Sequence, residues 1–89
     1  MKAIFIFPDN SNFTVDLDCI PRHNEIVELM NVNSAEMFAS QEAFSNFKKD
    51  HRSKNWRVNA VTYQLSLEDR TTATVHLIEK EDTASYSVS

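Results

Sequence analysis

Eighty-nine residues, 42% hydrophobic and 25% charged with a formal net charge of −4, supply one modest core and set the expectation of a single domain spanning residues 1–89. Cys19 is the lone cysteine, which excludes an intrachain disulfide and a cysteine-rich zinc cage and points to a reducing, cytoplasmic setting. There is no glycine, which excludes the standard forms of the phosphate-cradling Walker loop, the dinucleotide-binding turn and the nucleophile elbow.

Lys2 to Phe7 is a continuous apolar run and predicts a first strand, buried on both faces or partly covered by a partner. Pro8 and Asp9 end it far below the length of a signal or membrane segment, so no membrane association is expected. Without glycine, turns fall to Asn and Asp, which tolerate the left-handed backbone region better than other side chains. The expected turns are Asp9-Asn10-Ser11-Asn12, His23-Asn24, Asn31-Val32-Asn33-Ser34 and Glu68-Asp69-Arg70. Phe13, Val15 and Leu17 alternate with Thr14, Asp16 and Asp18, the period of a strand with one face on the core, and predict a hairpin with the first strand. Pro21 cannot donate to a ladder, so Cys19 to Asn24 reads as a crossing loop or edge segment, with a third strand from Glu25 to Met30.

Ser34 is a suitable helix cap, Glu36 suits the first turn, and Lys48 and Lys49 suit the negative end, predicting a helix over residues 34–50. Met37, Phe44 and Phe47 fall on one face of that helix, with Phe38 about 100° away. From Trp56 to Ile78 the pattern is that of two long strands. Trp56 and Val58 are in one phase and Val61, Tyr63, Leu65 and Leu67 in the other, so a β-bulge is expected near Asn59-Ala60. Ala73, Val75 and Leu77 then alternate with Thr72, Thr74, His76 and Ile78 to complete a hairpin. The polar stretch from Glu79 to Ser89 reads as a tail that could form a short last strand, pairing with its own sheet or with a second copy.

No spacing singles out a catalytic set. Cys19 and His23, with Asp16 or Asp18, are the nearest approach to a metal site or a Cys–His pair, but Pro21 between them argues against one helical face. His76 reads as a solvent-facing or interface residue. The one charge feature is Lys48, Lys49, Arg52, Lys54 and Arg57, five of nine basic residues within ten positions, with Trp56 among them. Residues 1–47 carry two basic and seven acidic side chains, so a local positive patch on an acidic molecule could attract an anion or a nucleic acid, with Trp56 stacking on a base. The alternative is local: cations gather at helix C-termini, and a Trp opening a strand belongs to a core.

Ile20-Pro21-Arg22 followed by Glu25-Ile26-Val27-Glu28-Leu29, and later Trp56-Arg57-Val58 and Val61-Thr62-Tyr63-Gln64-Leu65, resemble small uncharacterised bacterial and phage proteins with SH3-like barrels. In those proteins a Pro-Arg loop leads a strand and a long bulged strand follows an insertion. The likeness departs at Asn24, where a glycine usually stands. The glycine-free chain also resembles orphan products of mobile gene cassettes. Neither resemblance supplies a functional residue.

The expected fold is α+β and mainly antiparallel, a strongly bent sheet or small SH3-like barrel of about five strands with one helix packed across it through Met37, Phe44 and Phe47. The expected function is a non-catalytic interaction or regulatory module acting as a homodimer or with another protein, with no catalytic residue, metal or cofactor. Two alternatives stand beside it: a small nucleic-acid-binding barrel using residues 48–57, and a ligand-binding or enzymatic pocket between helix and sheet with Tyr63 or His76 as polar groups.

Overall fold

The computed structural model describes residues 1–65 and 71–79. In chain order these form β1 (Lys2–Ile6), β2 (Asn12–Asp16), β3 (Ile26–Val27), a 3-10 turn (Ala35–Met37), α1 (Gln41–Asp50), β4 (Trp56–Gln64) and β5 (Thr72–Glu79). One sheet holds all five strands in the order β2-β1-β5-β4-β3, curled into a half-barrel with α1 against it. The expected α+β class with a strongly bent sheet is what forms. Three of the four pairings are antiparallel, and that of β1 with β5 is parallel. A parallel pair needs a long crossover, and here almost the whole chain provides it.

Both expected hairpin partnerships form. β1 pairs with β2 from Lys2↔Asp16 to Ile6↔Asn12, and β4 pairs with β5 from Trp56↔Glu79 to Gln64↔Thr72. The register of the second pair shifts between Val58 and Ala60, at the expected bulge. The extra residue returns Val61 to the face of Val58, so Val58 meets Leu77 and Val61 meets Val75 on the same side. The turn expected at Glu68-Asp69-Arg70 and the last strand expected beyond Glu79 lie outside the described residues.

Two Asn residues take the positions that glycine usually fills. Asn10 and Asn24 both have φ of 72°, and each sits in a turn that the sequence assigned to Asn. Asn24 also extends the sheet: its N–H bonds the Val58 carbonyl at 2.8 Å, and the Val58 N–H bonds the Glu25 carbonyl at 2.9 Å. The third strand is shorter than residues 25–30 suggest, covering only Ile26 and Val27. After Val27 the chain turns inward to bury Leu29, and a Val32 N–H to Leu29 carbonyl bond closes a turn there.

The helix also differs from the expected span of 34–50. Ser34 makes no side-chain cap bond, and only a 3-10 turn follows it. The cap of α1 is Ser40, whose Oγ accepts from the Ala43 N–H at 3.1 Å. Phe38 explains the break: on a continuous helix it would lie off the face of Phe44 and Phe47. In extended backbone it turns inward to lie 5.2 Å from Phe44, 5.0 Å from Phe47 and 5.3 Å from Phe13. The C-terminal end falls at Asp50 as expected, with Lys48 and Lys49 in the last turn. Met37 is half-buried beside this cluster.

The core is thus a layer of aromatic rings from β1, β2, α1 and β4 on the concave face of the sheet, floored by Ala3, Val58, Ala73 and Val75 at 0% exposure. Truncating Phe47→Ala, which contacts Phe7, Phe13 and Phe38, is expected to cost about 3–5 kcal/mol in urea unfolding followed by far-UV circular dichroism. Asn24→Ala is expected to cost about 1 kcal/mol in the same assay, whereas Asn24→Gly leaves stability at or above that of the parent, because the cost comes from Cβ at positive φ.

Candidate functional site

The most elaborate polar constellation among the described residues joins the β1–β2 turn to the end of α1. Asp9 in the turn accepts from the Ser11 N–H at 3.0 Å and from the Ser11 hydroxyl at 2.6 Å, both on Oδ1. Its second oxygen, Oδ2, lies 2.9 Å from Nε2 of His51, the C-cap residue of α1. His51 is buried, stacked on Phe7 at 4.4 Å and edge-on to Trp56 at 5.4 Å. Its carbonyl accepts the Trp56 indole N–H at 2.9 Å.

The residue types are those of a nucleophilic triad, but the connections are not. In a triad the imidazole takes the hydroxyl proton on one nitrogen while the carboxylate holds the other. Here Ser11 Oγ, at 3.4 Å, and Asp9 approach the same Nε2, the hydroxyl donates to Asp9, and Nδ1 is buried without a hydrogen-bond partner among the described atoms. With Nε2–H directed at the carboxylate, the acceptor nitrogen is Nδ1, which is buried and makes no bond to the Ser11 hydroxyl, so that hydroxyl has no base. The arrangement acts as a clasp between turn and helix end.

The clasp has an electrostatic signature. The Ser11 hydroxyl bond, the largest cause, together with the Ser11 N–H bond and the His51 contacts, lowers the Asp9 carboxyl pKa to about 2, with burial as the opposing effect second in size. Because the folded value lies below that of the unfolded chain, Asp9 contributes stability above about pH 4 and loses it as pH falls toward 2. The carboxylate is more than half exposed, so solvent screens much of the effect.

The six residues of the basic segment singled out in the sequence are spread over the last turn of α1, the loop after it and the start of β4. Lys48 lies over the Phe44 ring at 4.5 Å, Lys54 pairs with Glu79 at 3.6 Å, and Arg52 donates to the Asn33 side chain. Lys49 is exposed on α1, and Arg57 is half-buried in β4 opposite Ile26 and Ile78. Trp56 is 2% exposed, with its ring packed against Phe7 and His51, so neither ring face is open to a nucleobase. Cys19 and His23 are both exposed, and among the described residues no three His, Cys, Asp or Glu side chains gather as metal ligands.

A hollow forms away from α1. An open apolar cleft of about 390 Å³ runs between the β1–β2 hairpin and the segment from Pro21 to Met37. Phe5 and Phe13, stacked at 5.1 Å, contribute to its wall with Val15, Leu17 and Val27, and Glu28 is the one ionisable residue in it. Tyr63 and His76, the polar groups expected of a helix–sheet pocket, do not line it: Tyr63 is 52% exposed on β4 and His76 points outward from β5.

The outer face of the sheet is the second open surface. The registers place Thr14, Ile4, Thr74 and Thr62 in one row and Asn12, Ile6, His76 and Ala60 in the next. Lys2 and Asp16 flank these rows at one end and Arg57 at the other, leaving a middle four strands wide that holds no Lys, Arg, Asp or Glu among the described residues. The clasp escaped sequence reading because His51 lies some forty residues from its partners; Asp9-Asn10-Ser11 signalled only a turn. The outer rows were legible as the wet phase of each strand, but their adjacency needed the register.

Among the described residues no helix is long and apolar enough to cross a membrane. The chain matches no protein-family model, no curated protein and no solved structure.

Asp9→Asn is expected to flatten the acid limb of the stability curve between about pH 4 and pH 2, and Ser11→Ala to flatten it partly. Urea midpoints measured across that range check both; an unchanged acid limb in Asp9→Asn would show that the clasp is not formed in solution.

Proposed function

We propose that this chain is a non-catalytic interaction module that acts as a homodimer and presents the outer face of its sheet to another protein. The observation that carries the reading is that face: two central rows of Ile, Thr, Ala, Asn and His side chains with Lys2, Asp16 and Arg57 only at the ends. Half-buried Ile4 and Ile6 and a 38% exposed Ile78 give it apolar area, and the threonines give it hydrogen-bonding groups that tolerate water before docking. The Asp9–Ser11–His51 group supports the same reading, since its hydrogen bonds hold the turn to the helix and leave no base for the hydroxyl. A domain this small also gains stability from a second subunit. Light scattering coupled to size exclusion is expected to give twice the 10.3 kDa chain mass at tens of micromolar, and a species of 10.3 kDa alone up to about 200 µM removes the dimer.

The cleft favours a second reading, a site for a small apolar ligand, because its volume falls in the ligand range and its wall is mostly apolar. A polarity-sensitive apolar dye is expected to brighten on the parent protein and to lose that signal in Met37→Trp, which fills the cleft with a larger ring; no brightening on the parent rejects this reading. The nucleic-acid reading draws on Lys48, Lys49, Arg52, Lys54 and Arg57 without a stacking ring, since Trp56 is enclosed.

A further inference from the structure

Resting on the homodimer reading, we infer that the second copy joins through the free edge of β2, pairing antiparallel about a two-fold axis at Thr14, so that the two sheets become one. The backbone sets which groups face that edge. Met1 and Leu17 exchange two hydrogen bonds, at 2.8 Å each, and the Phe7 N–H bonds the Ser11 carbonyl at 2.9 Å. Antiparallel ladders alternate bonded and non-bonded pairs. The residues of β2 that bond β1 are therefore Phe13 and Val15, and Asn12, Thr14 and Asp16 turn their N–H and C=O groups away from it. Among the described residues no other backbone group bonds them.

Natural edge strands are guarded by Lys, Pro, bulges or extreme shortness. β3, at the other end of the sheet, is guarded by being two residues long. β2 has five residues, Asn12-Phe13-Thr14-Val15-Asp16, with no Lys, no Pro and no bulge against β1, and its one charge, Asp16, stands at its end. It also complements itself. Pairing Thr14 with its own copy is the register that uses all three outward-facing residues, giving Asn12 opposite Asp16 on both sides and about six backbone hydrogen bonds. On the outer face threonine meets threonine, a favourable cross-strand pair, and on the inner face the half-buried Val15 stands opposite Phe13, which the chain's own core already encloses.

Charge agrees with that register. Asp16 would lie beside the neutral Asn12 of the second copy, and Lys2 is its cross-strand neighbour within the chain. The two Asp16 side chains would stand about 13 Å apart, beyond the screening length at physiological salt. The central outer rows of the two subunits would then run on as one surface through Thr14, doubling the face available to a protein partner.

The test is Thr14→Pro. Its ring removes an N–H that points away from β1, so the β1–β2 ladder is retained, and an edge strand accommodates its φ. The expected result is a halving of the mass seen by light scattering, from twice 10.3 kDa to 10.3 kDa, with an unchanged circular dichroism spectrum. As an independent reading, Thr14→Cys in a Cys19→Ser background is expected to cross-link to a covalent dimer on mild oxidation, since bonded antiparallel pairs hold Cα atoms about 5.5 Å apart. Gln41→Cys in the same background is expected to stay monomeric on denaturing gels. A folded Thr14→Pro that remains dimeric overturns the β2 edge and leaves self-association standing; if that variant does not fold, absence of a cross-link in the Thr14→Cys variant does the same. A parent protein that is monomeric throughout overturns both.

Discussion

The ring of Phe7, just beyond the last residue of β1, is the contact on which the other packing depends: it lies 5.9 Å from Phe13 of β2, 5.9 Å from Phe47 of α1, 4.8 Å from Trp56 of β4 and 4.4 Å from His51 at the end of the helix. Strand, helix and helix end thus converge on a side chain whose own backbone is fixed by the turn that carries Asp9 and Asn10. Aromatic packing of this kind is short-ranged and specific in angle. Moving the turn would displace the helix end, and moving the helix end would uncover Trp56.

The clasp makes that dependence mutual. Asp9 and Ser11 hold His51 from the solvent side while Phe7 holds it from the core side, so the imidazole is gripped between polar and apolar partners. A buried imidazole with one nitrogen satisfied by a carboxylate and the other enclosed is suited to fixing geometry. The surfaces proposed for binding lie elsewhere, on the outer rows of the sheet and along β2, where backbone and side chains are not consumed by the fold.

The parallel pairing of β1 with β5 decides what those surfaces are. By setting Ile4 beside Thr74 and Ile6 beside His76, it turns two separate hairpins into one continuous outer face. It also leaves β2 at one edge and the short β3 at the other, so the longer edge strand is β2. A sheet in which β2 were internal would have neither feature.

Alternation is local, and so the hairpin of residues 56–78, its bulge near Asn59-Ala60, the β1–β2 hairpin and the end of α1 were legible from residue order alone. So were the turns at Asn10 and Asn24, because a chain without glycine has few other ways to reach positive φ. The helix start was not legible: Ser34 and Ser40 are both acceptable caps, and the choice between them depends on Phe38 finding Phe13, which lies 25 positions away. The same holds for His51 meeting Asp9, for Trp56 being enclosed against Phe7 and His51, and for the order of strands in the sheet. Periodicity fixes which side of an element is oily, but only packing between distant segments selects which oily sides meet.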